Sequence, residues 1–332
     1  MKWALIGASD IAATQVIPAM RKLGHDIVGV MSSDSERGRS FALDHSIPHS
    51  TTSIDEIASW GVDAVYISTT NQLHAEQAIW AANAGLHILC EKPLAMSISD
   101  ADAMVRAAEV NNVVFATNHH LRANSALGAA RRMLADGELG VLRAIRINFA
   151  GSLPERLRGW RITDPSAGAG VILDLTVHNA DTIRFLTAED IAYVSAVGLS
   201  QQFGDGRIDD TSFCIFELSG GAVATTYESF SAPHSYSAVE IHGTDASLYL
   251  RDVLTQEQRG TIAIRRDDVE IPLAVPNGDN LYVTTIRAFE AAINGTGAPL
   301  SSGVDGRASL AAALSAVQSS VEGRRIAVAE LS

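Results

Sequence analysis

Along the first 118 residues the hydrophobic and polar positions alternate between two rhythms. KWALIGA, HDIVGVMSS, VDAVYIS, LHILCE and VVFATN are short, nearly continuous apolar runs, which predict strands buried on both faces. Between them, IAATQVIPAMRKL, SERGRSFALDHS, LHAEQAIWAANAG and ISDADAMVRAAEVNN space their apolar residues three and four apart, and the last opens on a Ser/Asp cap. Strands of this kind separated by helices predict a parallel sheet covered on both sides. Beyond residue 118 the rhythm changes. HHLRANSALGAARRMLADGELG reads as one long helix ending at Gly140. LRAIRINFAG, AYVSAVGLSQQ, DDTSFCIFELSG, AVATTYESFS, SAVEIHGTDASLYLRD and TIAIRRDDVEIPL then read as strands, several with period-two alternation, as in an antiparallel sheet with one more exposed face. GVILDLTVHNADTIRFL is a helix set early in this half, and YVTTIRAFEAAIN and GRASLAAALSAVQSSVEG are helices that close the chain. The expected architecture is α/β: a doubly wound parallel sheet over residues 1–118, then an α+β domain over residues 119–332 with a large, mostly antiparallel sheet.

Composition narrows the class. A chain of 332 residues is long for one core and suits two domains. Its hydrophobic fraction of 47% and mean hydropathy of +0.12 are those of a soluble globular protein, and it has no uncharged apolar run of about 18 residues that would span a membrane. The start, MKWALIGASDIAA, has the look of a charged leader and short apolar stretch. Asp10 interrupts it, and a strand entering a turn accounts for it better. Two cysteines, Cys90 and Cys214, make neither a disulfide framework nor a metal-ligand spacing, which favours a reducing compartment. A net charge of −13 argues against nucleic acid and anionic membranes as partners. The expectation is a cytoplasmic protein with a small-molecule ligand and no metal.

The candidate chemistry lies at strand ends. Gly7 to Ala12 follow the first strand and meet the G-x-G-x-x-G/A dinucleotide fingerprint in part, with Ser9 at the second glycine. Gly7 supplies the tight turn, Ala12 the close helix contact, and Ser9 a hydroxyl for a phosphate beside free helix N–H groups. A plain strand–helix turn is the competing explanation. The second strand ends MSSDSERGR: Ser32 and Ser33 at the tip, Arg37 one helical turn on. Two hydroxyls and a guanidinium suit the 2′-phosphate of NADP, whereas an NAD enzyme places a carboxylate there. Asp34 is the counter-signal, since one step of register brings it to the ribose; equally, Arg37 and Arg39 would solvate a helix start.

The third strand's end, STTNQLH, brings Ser68, Thr69, Thr70, Asn71 and His74 to the same edge as Glu91 and Lys92 of CEKP. His74 and His87 have a structural alternative, tying strand to helix. Lys92 follows a buried strand and precedes Pro93, whose ring restrains the backbone before it, so its ammonium suits the negative charge that develops on a reduced carbonyl. A salt bridge to Glu91 or plain surface exposure are its alternatives. In GVILDLTVHNADTIRFL, Asp174, His178 and Asp181 form a polar stripe on an apolar helix. A solvated face is the ordinary reason for such a stripe; a histidine general acid with a carboxylate beside it is the functional one. Asn118, His119, His120, Arg122, Trp160 and Arg161 are further polar groups of interest.

GASDIAA, STTNQLH, AANAGLHILCEKPLAM and GVILDLTVHNADTIRF together resemble the glucose-fructose oxidoreductase / inositol dehydrogenase (Gfo/Idh/MocA) family, whose marks are the EKP lysine and a D-x-x-x-H helix. The resemblance spans nearly the whole chain. It implies a Rossmann domain, NADPH as cofactor and hydride transfer to a sugar ketone. It implies that His178 protonates the nascent alkoxide, that Lys92 stabilises it, and that Asp174, Arg161 and His120 help bind the sugar. Ser9, Asp10 and Ile11 match cofactor-contacting positions, as do Ser32, Ser33 and Arg37. So do Thr69, Thr70, Asn71, Gln72, Leu73 and His74, and likewise Glu91, Lys92, Asn118, Trp160, Arg161 and Tyr282. The chain departs from many relatives in having Ser9 for the second glycine and Ala13 nearby. Two rivals stay open: a dehydrogenase of another cyclic polyol or pyranose, and a non-catalytic dinucleotide-binding regulator. The oligomeric state is open as well.

Overall fold

The computed structural model describes residues 1–203 and 206–331, which group into two compact units. Met1–His119 with Tyr282–Arg307 form the first; His120–Leu281 with the residues from Ala308 onward form the second.

The first unit holds strands β1 (Lys2–Ile6), β2 (Asp26–Met31), β3 (His49–Thr51), β4 (Ala64–Ile67), β5 (His87–Cys90) and β6 (Phe115–Thr117). All pair in parallel, in the order β3-β2-β1-β4-β5-β6. The order reverses between β1 and β4, the place where such sheets open a crevice for a ligand. Helices α1 (Ile17–Lys22), α2 (Ser35–Asp44), α3 (His74–Asn83) and α4 (Ile98–Val110) connect the strands, and a π-helical turn over Ala12–Val16 precedes α1. The strands are apolar throughout because both faces are covered: Trp3, Leu5, Ile6, Val65, Ile67, Ile88 and Leu89 are fully buried. The edge strand β3 was not expected, being three residues long with a polar composition. The segment 282–307 completes this unit: Phe289 lies against the Trp3 ring at 5.4 Å, Ser302 bridges to Ala116 of β6, and Gly303 lies flat on Phe115.

The second unit is a nine-stranded sheet with helices on one face. Its elements are α5 (Ser125–Ala135), β7 (Leu142–Ala150), α6 (Val177–Thr187), β8 (Ile191–Leu199), β9 (Thr211–Leu218), β10 (Val223–Ser229), β11 (Ala238–Gly243), β12 (Ser247–Arg251), β13 (Thr261–Arg266) and β14 (Val269–Leu273). Then come α7 (Leu281–Ile293), which belongs almost wholly to the first unit, α8 (Gly303–Glu322) and the short β15 (Ile326–Ala327). The order is β14-β13-β12-β11-β7-β10-β9-β8-β15, antiparallel except for the β7–β10 pair. One face of alternating residues, among them Ile145, Ile147, Phe216, Val239, Ile241 and Leu248, packs with Leu127, Ala180 and Ile183 of α5 and α6 into one core. The other face leaves Val197, Phe213 and Ile215 about half exposed.

Four expectations change here. The long helix after residue 118 is shorter, because the Asn124 side chain accepts from the N–H groups of Ala126 and Leu127 and starts α5 there, leaving His120–Ala123 as a separate 3-10 turn. SAVEIHGTDASLYLRD is two strands that reverse at Thr244 and Asp245, and TIAIRRDDVEIPL is two strands that reverse at Asp267, whose φ is +50°. The expected single boundary near residue 118 lies beside the division at His119, yet the chain crosses back for 282–307. Finally, two helices open with a π-helical turn, Ala12–Val16 before α1 and Ile172–Thr176 before α6.

Among the described residues no helix is long and apolar enough to cross a membrane, and no group of three or more His, Cys, Asp or Glu is placed to hold a metal ion.

Candidate active site

In the first unit the polar groups gather where β1, β2, β4 and β5 end. Gly7 has φ +115°, and a Cβ there would lie 2.9 Å from the Ser68 carbonyl group, so only glycine lets the end of β1 approach the end of β4 this closely. Ser9 Oγ donates to Ser68 Oγ at 2.7 Å and accepts from the Ala12 N–H, which puts its hydroxyl at the start of the first helix. Asp10 is exposed and Ile11 half-buried beside it.

At the end of β2, Arg37 donates through Nε to Ser32 Oγ and through a terminal nitrogen to Ser33 Oγ, both at 3.1 Å. Asp34, the counter-signal in the sequence, caps α2: its carboxylate accepts from the Arg37 N–H at 2.7 Å. The carboxylate that would pair with a ribose hydroxyl is thus turned to the helix, while a guanidinium and two hydroxyls stand together at the tip. This donor set and the close approach at Gly7 fit a dinucleotide.

The end of β5 is held by its neighbours. Glu91 Oε1 accepts from Tyr66 Oη on one side and Asn118 Nδ2 on the other, each at 2.6 Å. Tyr66 lies in β4 and Asn118 directly follows β6, so Glu91 is clamped between the two strands that flank β5. Burial first, and then the Glu91 charge, push the Tyr66 and Tyr282 phenols well above their ordinary range, which keeps both protonated. Tyr282 is buried. The Lys92–Pro93 bond is cis. In the loop after β4, Thr69 Oγ1 donates to Gln77 at 2.7 Å; Asn71 is buried, whereas Gln72 and Leu73 are exposed. His74 has no exposed surface, and its two ring nitrogens lie 3.0 Å from the Pro93 carbonyl and 3.2 Å from the Thr69 carbonyl. Its imidazole is turned to the main chain. His87 likewise serves the sheet, its Nδ1 accepting from the Val114 N–H.

Burial, the largest cause in each case, lowers the pKa of His25, His74 and His87 from 6.5. The folded chain therefore binds protons at these sites less readily than the unfolded one. Their contribution to stability is full above pH 6.5 and falls as the pH drops below that value toward the lowered folded pKa values. Urea midpoints should decrease between pH 7 and 5, and His87→Gln should flatten part of that slope; an unchanged slope would contradict the assignment.

In the second unit α6 carries the candidate acid. His178 is 5% exposed and Asp181 is 1% exposed, so the stripe is not a solvated face. The His120 ring stands edge-on to His178 at 5.3 Å, and Phe149 approaches it at 6.2 Å. Asp174 lies within the π-helical turn, a distortion common at functional sites, and pairs with Arg161 (Nε to Oδ2, 3.6 Å). The Arg161 guanidinium in turn lies over the Trp160 ring at 4.6 Å. Three polar ties hold α6 in register. Arg122 donates its Nε–H, shared between both oxygens, and a terminal N–H to the Asp181 carboxylate. Ser309 Oγ donates to Asp181 at 3.2 Å. Asn179 Nδ2 donates to the fully buried Glu228 at 2.7 Å, whose other oxygen accepts from Ser212 at 2.8 Å. Burial raises the Glu228 pKa despite these donors.

The sequence reading missed Tyr66, Gln77, Phe149, Asn179 and Glu228. A tyrosine at the end of the strand VDAVYIS, and a glutamate on the inward side of AVATTYESFS, were the available signals; neither has meaning until its partner is known.

Residues 1–119 match the oxidoreductase family NAD-binding Rossmann fold, and residues 127–249 match the GFO/IDH/MocA C-terminal domain. The chain is also 43% identical over 324 residues to 1,5-anhydro-D-fructose reductase of Ensifer adhaerens, covering 97% of both chains. It belongs to the Gfo/Idh/MocA oxidoreductase family. As a member of that family it is an oxidoreductase that uses a nicotinamide dinucleotide. Two solved structures share its fold: aldose-aldose oxidoreductase from Caulobacter crescentus complexed with glycerol (TM-score 0.89, 22% identity, 98% of this chain and 99% of that one) and levoglucosan dehydrogenase in complex with NADH and levoglucosan (TM-score 0.86, 23% identity, 99% of both).

Proposed function

We propose that this Gfo/Idh/MocA oxidoreductase reduces the C2 ketone of 1,5-anhydro-D-fructose to 1,5-anhydro-D-mannitol with NADPH. The whole-length similarity to 1,5-anhydro-D-fructose reductase carries the choice of substrate. The choice of NADPH rests on Ser32, Ser33 and Arg37 standing together while Asp34 caps its helix. In this reading residues 1–118 bind the dinucleotide and residues 119–332 supply the groups for the sugar.

When bound, the reduced nicotinamide supplies the hydride. Arg37, with Ser32 and Ser33, binds the 2′-phosphate as a charge-assisted donor set. The Gly7 turn and the free N–H groups at the start of the first helix would hold the pyrophosphate, the N–H groups donating to its oxygens. Lys92 places its ammonium at the substrate carbonyl oxygen, where negative charge accumulates as the carbon is reduced. His178 delivers the proton that converts the alkoxide to the alcohol and is reprotonated from solvent. Asp174, held by Arg161, accepts from sugar hydroxyls, and His120 limits the swing of the His178 ring.

NADPH and NADH absorbance followed on addition of 1,5-anhydro-D-fructose tests the reading. NADPH oxidation is expected; a folded enzyme that binds NADPH and leaves this ketone untouched would move the assignment to another ketose or polyol. Arg37→Ala removes the charged donor and should raise KM for NADPH about 10- to 100-fold, the equivalent of one charged hydrogen bond, while NADH kinetics stay put. Equal losses with both cofactors would refute the 2′-phosphate role.

A further inference from the structure

His74 is the first residue of α3. Its imidazole sits wholly inside the first unit between two carbonyl groups from different loops. One is Thr69 O, at the start of the loop that leaves β4; the other is Pro93 O, one residue past Lys92 in the loop that leaves β5. Both neighbours are acceptors and burial favours the neutral ring, which carries one hydrogen, so His74 donates to one of the two carbonyls and packs against the other. Thr69 itself is tied onward to Gln77, and Glu91 is clamped between Tyr66 and Asn118. The main chain on either side of Lys92 is therefore held by side chains at Glu91 and at Pro93, and only the second of these ties reaches the loop of residues 69–73.

We infer that His74 is a positioning residue: it locks the main chain behind Lys92 to the cofactor-side loop of residues 69–73, so that lysine and cofactor are placed as one piece. This rests on the proposed roles of Lys92 and of that loop. A ring that fills space alone would be replaced by an apolar side chain of similar size with a loss of stability and no more. A ring that sets the spacing of two functional loops affects cofactor affinity and turnover together, because displacement of a reacting group by about 1 Å costs on the order of a hundredfold in rate.

The test compares His74→Leu, which keeps bulk and removes both nitrogens, with His74→Gln, which keeps one N–H donor group at similar reach. NADPH dissociation constants come from nucleotide fluorescence in the absence of any ketone, and kcat from turnover, both well below the melting temperature. For His74→Leu the expected result is about a tenfold weaker NADPH complex with kcat reduced tenfold or more, and for His74→Gln a partial recovery of both. Folded variants with dissociation constant and kcat within twofold of wild type would overturn the inference. So would failure of both variants to fold, since the ring would then be an element of stability alone. A wild-type protein that binds NADPH without reducing the ketone bears on the proposed substrate, and the NADPH affinities of the variants still decide the role of His74.

Discussion

Lys92→Met should lower kcat by about 10²- to 10³-fold, the range for removing one group aimed at developing negative charge. His178→Asn should lower it by about 10²- to 10⁴-fold, the span of a general acid's contribution. The His178 change touches neither the Arg37 cradle nor any other position matched to the cofactor, so NADPH should bind to that variant as it does to wild type. The distinguishing measurement is single-turnover oxidation of bound NADPH, with the nucleotide affinity recorded on the same samples. A His178 variant within threefold of wild type would transfer the proton donor to another group, with His120 the first to examine.

Asp181→Ala is expected to be the most damaging change to stability, at about 3–5 kcal/mol, because it strands the Arg122 guanidinium in a place where both partners have almost no exposure (7% and 2%). It also leaves the Ser309 hydroxyl without one of its acceptors. The Arg146–Glu240 pair makes the contrast. It sits on the open face of the sheet with the arginine side chain 69% exposed, and its loss should cost about 0–1 kcal/mol. Urea unfolding of the two variants side by side checks the ranking. A cost below 1 kcal/mol for Asp181→Ala would mean that Arg122 finds water on its own, and that the tie does not hold α6.

Much of this was legible in the chain because the relevant signals are local. Apolar runs without alternation announced the parallel sheet, and the alternating runs announced the antiparallel one. The cap at Ser97, which accepts from the Asp100 N–H, is a short-range signal that reads correctly from sequence alone. Asp34 shows the limit. As a letter it competes for the ribose, and only the backbone direction at the start of α2 turns it into a cap. The hairpin reversals at Thr244 and Asp267 were missed for a similar reason: Gly-Thr-Asp and Arg-Asp-Asp carry weaker turn chemistry than Asn-Gly, so the flanking runs merged into single strands. The polar stripe on α6 was visible, but its two explanations differ only in burial, a property set by β7, the 3-10 turn of His120 and α8. Partners separated by tens of residues, such as Tyr66 with Glu91 or Asn179 with Glu228, leave no periodic trace at all.

The return of residues 282–307 to the first unit has a bearing on how the chain is made. A ribosome releases β1 to β6 long before Phe289 exists to cover Trp3, or Gly303 to lie on Phe115. The nascent Rossmann sheet must therefore wait, with part of its core uncovered, while the whole nine-stranded sheet emerges. The second unit also awaits its last helix, since α8 begins in one unit and ends in the other. Neither unit can be completed before its companion has been almost fully synthesised, so maturation of the two is coupled in time, and a premature stop anywhere before residue 307 leaves the N-terminal nucleotide unit itself unfinished.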